Sequence, residues 1–151
     1  MVTVAEATSV IFQNLFTPGI ETIPLQQAVG RVLAAPIHAD RDFPPFSRVS
    51  MDGIAILHSE WTRGRRRFTI EGIQAAGESP KALSTSTCCI EVMTGAVLPA
   101  GCDTVIRYED IEIEGGEATV HADVVVQGQS IHVKGVDAAK DQQVLDPGQI
   151  L

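Results

Sequence analysis

The amino-acid sequence predicts an α+β fold that is mostly β, with its helices at the N-terminus. Apolar residues recur at helical spacing only within about the first 30 residues. The rest of the chain consists of short apolar runs of strand length, separated by glycine and proline turns. Residues 111–120 alternate on both sides of Gly115 and Gly116, which is typical of a hairpin. Together these observations favour sheets with mostly antiparallel pairing.

The first helix is predicted to begin after Thr3. Thr3 and Glu6 have the spacing of a capping box, in which each side chain accepts a hydrogen bond from the other residue's free backbone N–H. Pro18-Gly19 is expected to end this helix, and a second short helix over residues 25–29 is expected to stop at Gly30. The first helix carries an apolar stripe of Val4, Ala7, Ile11 and Leu15.

The strands are predicted in order along the rest of the chain. The hairpin over residues 111–120 should have one solvated face, which accounts for the acids of residues 109–117 without a metal site. The chain ends on an apolar residue soon after a turn, so we expect a strand that is cut short and a chain that is a fragment. The other predicted strands cover residues 31–37, 54–57, 68–73, 88–93, 104–108, 124–126, 131–133 and 144–145.

Composition narrows the class of protein. The chain has 151 residues, 44% of them hydrophobic, which argues against disorder and is enough to bury one core or two small ones. The net charge of −8 argues against general binding to nucleic acid or anionic lipid. No basic stretch precedes an apolar segment as in a signal peptide, and no run approaches the roughly 18 apolar residues of a membrane span. Three cysteines make no disulfide framework, so a cytoplasmic location is expected.

Most polar clusters have an ordinary structural explanation. The common catalytic signatures, such as a phosphate-binding loop or a nucleophile elbow, are absent from the sequence. The four histidines lack the spacing of metal ligands. Residues 63–67 contain four arginines that could hold a phosphate, but a solvated turn between strands is the favoured interpretation. Cys88 and Cys89 would point to opposite faces of a strand, which leaves one thiol buried.

Two segments leave a functional site open, although their residues alone favour a structural turn somewhat more. In residues 42–53, two prolines suggest an extended arm anchored by Phe43 and Phe46, and Asp52-Gly53 then offers a carboxylate at a corner. In residues 93–103, two glycines permit close backbone approach, and Thr94 offers a hydroxyl where a strand enters a loop.

The residues of these segments resemble the MoeA family of molybdopterin molybdenumtransferases, which includes the C-terminal domain of gephyrin. Residues 30–34 resemble the family's G-R-V-L-A, and residues 42–53 resemble its D-x-P-P-F-x-x-S-x-M-D-G. Residues 93–101 resemble M-T-G-A-x-L-P-x-G, and residues 108–110 stand where Q-E-D is usual. The resemblance covers essentially all 151 residues, and it implies that the chain corresponds to only about the first 40% of a full family member.

The resemblance implies two domains. Residues 1–40 with 129–151 would form an elongated linking domain of antiparallel strands with the N-terminal helices. Residues 41–128 would form a β-rich domain inserted into it. The family's pterin-binding domain and C-terminal β-barrel would be absent from this chain.

The resemblance also implies an activity and its residues. The family inserts molybdate into adenylylated molybdopterin and releases AMP, with Mg²⁺, at a cleft between two subunits of a homodimer. The chain would supply Asp52 as a catalytic carboxylate that holds the metal, and Thr94 as a hydroxyl that contacts substrate. Adenylyl-molybdopterin and molybdate would bind mainly through the missing domain. Four further residues are implied in cofactor binding: Ser50, Gly53, Gly95 and Asp137.

Several positions depart from the family's motifs. Residues 48–50 replace the usual Asn-Ser-Ala, and Ile54 replaces a tyrosine. The family's R-R-x-G-E-D arm becomes residues 132–137, which keep only Gly135 and Asp137 and have Val136 in place of the glutamate. These changes leave open a second interpretation, in which the chain is a non-catalytic dimerisation or scaffold module, or part of an inactive paralogue.

Overall fold

The computed structural model describes residues 2–151. It confirms the α+β class, because strands dominate and helices are few. The chain divides into two compact units, one of residues up to Ile37 with Leu145–Leu151, and one of His38–Val144. The domain edges implied by the resemblance, 1–40 with 129–151 and 41–128, stay a prediction.

In the first unit, helix α1 spans Val4–Gln13 and the predicted capping box is confirmed. The Thr3 hydroxyl accepts from the Glu6 N–H at 3.3 Å, and the Glu6 carboxylate accepts from the Thr3 N–H at 2.8 Å. The helix ends at Gln13, earlier than Pro18-Gly19. The second helix is a single 3-10 turn, Leu25–Gln27.

Residues 31–37 do not form the predicted strand. They make one antiparallel bridge, Val32 to Ile150, with backbone hydrogen bonds that join residues 30–33 to residues 148–151. Regular strand structure begins only at β1, Ile37–His38, which pairs with β10, Gln143–Leu145. The strand expected around residue 144 is therefore confirmed.

The second unit contains a six-stranded sheet built from β3 (Gly53–Ile56), β4 (Arg67–Gln74), β5 (Cys88–Val92), β6 (Thr104–Arg107), β7 (Ile111–Glu114) and β8 (Glu117–Val120). Their order across the sheet is β6-β3-β5-β4-β8-β7. All its pairings are antiparallel except β4 with β5, which is parallel and carries an irregularity between Ile70 and Ile73. The predicted hairpin of β7 and β8 is confirmed, with Ile111 opposite Val120.

A separate pair of short strands lies in the same unit. Strand β2, Arg48–Val49, pairs antiparallel with β9, Ile131–His132, so that Arg48 lies opposite His132. A 3-10 turn, Tyr108–Asp110, joins β6 to β7.

The sheet buries apolar side chains on both faces, because successive residues of a strand point to opposite sides. In β3, Ile54 and Ile56 pack with Phe68 and Cys89, whereas Ala55 packs with a second cluster. That second cluster contains Val49, Ile90, Val92, Cys102 and Val105. Cys88 is half-buried and Cys89 fully buried, as predicted, and burial raises the pKa of the Cys89 thiol to about 12.

Helices are not confined to the first 30 residues, because α2 spans His58–Thr62. Its N-terminus has no side-chain cap from its own sequence. Instead, the carboxylate of Asp103 accepts a hydrogen bond from the His58 N–H at 2.6 Å. The helix is thus stabilised by a residue 45 positions away, which local patterning does not reveal.

Two other expectations are wrong. Residues 124–126 form no strand: Val125 is buried in the core, while Val124 and Val126 are exposed. The arm before Asp52 is bent, and Phe43 and Phe46 are 44% and 40% exposed, so they do not anchor it within this chain. Before Asp52, the buried residues of this segment are Pro44 and Val49.

Candidate functional site

The candidate site forms where strand β3 begins beside the end of strand β5. Asp52 immediately precedes β3, and Thr94 lies two residues after β5 ends at Val92. The two strands pair antiparallel with Gly53 opposite Val92, so the start of one strand meets the end of the other. The topology therefore brings together two residues that are 42 positions apart in the sequence.

Asp52 and Thr94 contact each other directly. Carboxylate oxygen Oδ1 of Asp52 accepts hydrogen bonds from the Thr94 N–H at 2.6 Å and from the Thr94 hydroxyl at 2.7 Å. These two donors, with the hydroxyl first, lower the pKa of the exposed Asp52 carboxyl below its ordinary range. Oxygen Oδ2 accepts no hydrogen bond from residues 2–151, so an ionised oxygen remains available to a ligand.

The backbone around Asp52 is held in place by its neighbours. Its carbonyl accepts from the Tyr108 N–H at 3.2 Å. A Cβ atom on Gly53 would lie 1.9 Å from the carbonyl oxygen of Ile106, so only glycine fits between β3 and β6 at this position. Gly53 therefore has a packing role that sets the position of Asp52.

A cavity of about 280 Å³ lies beside this pair. Ser50 and Gly95, both predicted from the sequence, contribute to its lining together with Thr94. The Gly95 N–H donates to the Val49 carbonyl at 2.8 Å and fixes the loop against β2. The complete lining is Arg48, Val49, Ser50, Thr94, Gly95 and His132.

Asp137 contacts a lining residue of the cavity, His132. Its two carboxylate oxygens each lie 3.0 Å from Nε2 of His132, and His132 itself lines the cavity. Asp137 therefore orients a lining residue, and it is not among the lining residues itself.

Sequence reasoning missed Arg48 and His132 as lining residues. The two face each other across strands β2 and β9, and the Arg48 guanidinium makes no ion pair with any residue in the described part of the chain. Arg48 and His132 lie far apart in the sequence, and no sequence pattern predicts that they meet. They are brought together only by the pairing of β2 with β9.

Two negative findings concern metals and membranes. Among residues 2–151, no three side chains of the His, Cys, Asp or Glu type cluster in a way that could hold a metal ion. Over the same residues, no helix has the length and apolar character that a bilayer crossing requires. Separately, Glu112, Glu114 and Glu117 of the β7–β8 hairpin are all exposed, which confirms the predicted solvated face.

Comparisons with known proteins identify the family to which the chain is similar. Residues 2–151 match the family described as the MoeA N-terminal region, domains I and II. A molybdopterin molybdenumtransferase of Synechocystis is 40% identical over 147 residues, which cover 97% of this chain and 38% of that protein. One of Synechococcus elongatus is 32% identical over 137 residues, covering 87% of this chain and 34% of that protein.

A solved structure agrees with the sequence comparisons. The crystal structure of a molybdopterin biosynthesis MoeA protein from Pyrococcus horikoshii superimposes with a TM-score of 0.80 at 30% identity. The match covers 99% of this chain and 39% of that one, so the chain spans about two fifths of the length of its relatives. The chain belongs to the MoeA N-terminal region family.

Proposed function

We propose that this chain is the N-terminal region of an enzyme of molybdenum cofactor biosynthesis that inserts molybdate into adenylylated molybdopterin and releases AMP. The family match and the relatives named molybdopterin molybdenumtransferases support this function. The chain corresponds to only 38% of the Synechocystis relative, so the complete reaction needs the domains that the relative has in addition.

The pairing of Asp52 with Thr94 is the observation that carries the proposal. Both donors of Thr94 bind one oxygen of the carboxylate, and the other oxygen stays free. A catalytic carboxylate must be ionised and held in one orientation, and the lowered pKa together with the two hydrogen bonds provides both. In this proposal Thr94 acts mainly by positioning Asp52, and its hydroxyl oxygen can still accept a hydrogen bond from substrate.

The residues present fit a Mg²⁺ ion held by one carboxylate. Mg²⁺ in proteins commonly takes one or two carboxylate oxygens and completes its shell with water and substrate phosphates. Oxygen Oδ2 of Asp52 is a donor of this kind, and the described residues supply no cluster that would bind the ion without substrate. When bound, the ion would neutralise charge on the substrate's phosphates, and Asp52 would hold it there.

The net charge of the chain is consistent with a reaction in which another domain binds the anionic substrates. Molybdate and the pterin phosphates are anions, and this chain has a net charge of −8. We propose that the pterin-binding domain of the complete enzyme supplies most of the anion-binding groups. In this chain, Asp52 would hold the metal, and Ser50 and Gly95 would form part of the wall of the cleft. Gly53 would fix the position of Asp52, and Asp137 would orient His132.

Homodimer formation is part of the same proposal. Every residue of α1 is exposed within the chain, including Ile11 at 62% and Phe12 at 68%. An apolar helix face of this kind is typical of an interface. A dimer would allow the cleft to form between the inserted domain of one subunit and the pterin-binding domain of the other, in the cytoplasm.

A scaffold without catalysis is the second candidate. The exposed apolar face of α1 and the substitutions at residues 48–50 and at Val136 favour it, since neither requires chemistry at Asp52. The two functions differ in one respect: only the transferase needs the carboxylate of Asp52.

A chimera separates the two functions. In it, this chain replaces the matching region of the Synechocystis enzyme, and AMP release is measured with adenylyl-molybdopterin, molybdate and Mg²⁺. The transferase proposal predicts turnover by the chimera. A folded, dimeric chimera that releases no AMP would favour the scaffold.

A further inference from the structure

A second charged cavity lies at the turn between α2 and β4. It has a volume of about 610 Å³ and is lined by Glu60 and the five residues Arg63, Gly64, Arg65, Arg66 and Arg67. It shares no lining residue with the cavity beside Asp52. Four guanidinium groups thus surround one concave surface on a chain whose net charge is −8.

Glu60 holds two of these arginines in place. It is 6% exposed, and its carboxylate lies 2.5 Å from Arg63 and 3.4 Å from Arg65. The Ser86 hydroxyl donates to it at 3.2 Å. Desolvation opposes ionisation of Glu60, but the hydrogen bonds from Arg63, Arg65 and Ser86 outweigh it and lower the pKa of the carboxyl. A buried carboxylate whose ionised form is favoured therefore fixes two guanidiniums, each through one nitrogen.

Arg66 is fixed by a different set of contacts. Its guanidinium carbon lies 4.5 Å from the ring centroid of Trp61, and one nitrogen donates to the carbonyls of Trp61 and Arg65 at 2.9 and 3.0 Å. Stacking on an indole limits the rotamers of an arginine while leaving other N–H groups free. His58 also stacks on the same indole, with ring centroids 5.9 Å apart.

Arg67 differs from the other three because its side chain makes no hydrogen bond or ion pair with any of residues 2–151. The lining therefore contains three guanidiniums held by the protein and one that is free. Glu60 is the single carboxylate of the lining and pairs with two of the four arginines, so most of the guanidinium N–H donors make no hydrogen bond with residues 2–151.

We propose that this cavity binds an oligophosphate group. The planar fork of arginine matches phosphate oxygens, and several pre-oriented forks around one concavity suit a ligand with two or more linked phosphates. The same chemistry occurs in inorganic oligophosphates and in nucleotides. Because His58 and Arg66 already contact the Trp61 ring, binding should depend on the phosphates and gain little from a base.

Trp61 provides the measurement, since it is the single tryptophan of the chain and Arg66 lies on its ring. The chain is titrated with phosphate, pyrophosphate, tripolyphosphate and ATP at constant ionic strength, and Trp61 fluorescence is followed. We expect saturable binding that tightens with the number of linked phosphates. Equal affinity for ATP and tripolyphosphate would identify the phosphates as the whole determinant, and tighter binding of ATP would identify a nucleotide as the source.

Arg67→Gln is the test variant, because it breaks no contact within the described chain. It should weaken tripolyphosphate binding about tenfold, the effect of losing one charge-assisted interaction. Arg41→Gln removes the same charge from a residue outside the cavity and should leave binding unchanged. The proposal is overturned if fluorescence does not saturate, if both variants weaken binding equally, or if hexaglutamate binds as tightly as tripolyphosphate.

Discussion

Thr94 donates two hydrogen bonds to the same carboxylate oxygen of Asp52, one from its backbone at 2.6 Å and one from its hydroxyl at 2.7 Å. The second carboxylate oxygen is left free of protein donors among residues 2–151. This arrangement orients an ionised group and keeps it reactive toward a cation, and both properties can be tested separately.

Thr94→Val should raise the pKa of Asp52 toward its ordinary value, because it removes the hydroxyl donor and keeps the backbone donor. A lowered carboxyl pKa contributes stability that is present above the unfolded pKa and is lost as the pH falls through the folded pKa. The wild-type chain should therefore lose stability below about pH 4, and Thr94→Val should lose less over that range.

Carboxyl titration by NMR and urea unfolding at each pH measure the two effects. Thr94→Ser keeps the hydroxyl and should behave as wild type; an unchanged Asp52 titration in Thr94→Val would contradict the assignment.

Gly53→Ala should destabilise the second unit by about 3 kcal/mol, because its Cβ would meet the Ile106 carbonyl between β3 and β6. Gly19→Ala is the matched control: no atom lies within 4 Å of a Cβ at that position, and we expect a change within about 0.5 kcal/mol. Chemical unfolding measures both variants. Equal stability of the two would show that β3 and β6 can separate at Gly53 without cost.

The chain should self-associate through α1. Light scattering over a concentration series up to about 1 mM should show an increasing mass, because the apolar stripe of α1 is exposed in a single chain. Ile11→Glu should prevent association. Ser9→Glu places the same charge on the opposite side of the helix and should not. A monomer at every concentration would mean that dimer formation depends on domains outside this chain.

The isolated chain should fold and yet release no AMP above background from adenylyl-molybdopterin, molybdate and Mg²⁺. Its sheet buries apolar residues on both faces, whereas the groups that we propose to bind the anionic substrates lie on other domains. The chimera with the Synechocystis enzyme serves as the positive control. Clear turnover by the isolated chain would refute this division of labour.

Local sequence signals predicted the elements whose stability is local. The capping box of Thr3 and Glu6 and the hairpin at Gly115-Gly116 are set by residues a few positions apart, and both are confirmed. Helix α2 was missed because Asp103, far along the chain, holds its N-terminus. Residues 124–126 looked like a strand because all three are β-branched, but only Val125 enters the core.

The sequence predicts which residues belong to the candidate site but not which of them contact each other. Motif resemblance singled out Asp52 and Thr94, but their contact depends on the register of β3 with β5. The same limit applies to Arg48 and His132, which meet through β2 and β9. The resemblance implies that Asp137 is a binding residue, and the structure adds that its carboxylate contacts the imidazole of His132.

The most direct test of the account is Asp52→Ala in the chimera, with AMP release and thermal unfolding measured on the same preparation. Asp52 is exposed and Asp52→Ala loses only the two hydrogen bonds from Thr94, so the melting temperature should fall only slightly. Loss of a carboxylate that holds a metal should reduce the rate by about 10²-fold or more. The contrary result is a large fall in melting temperature with the rate per folded molecule preserved, which would make Asp52 part of a structural turn and remove it from the catalytic site.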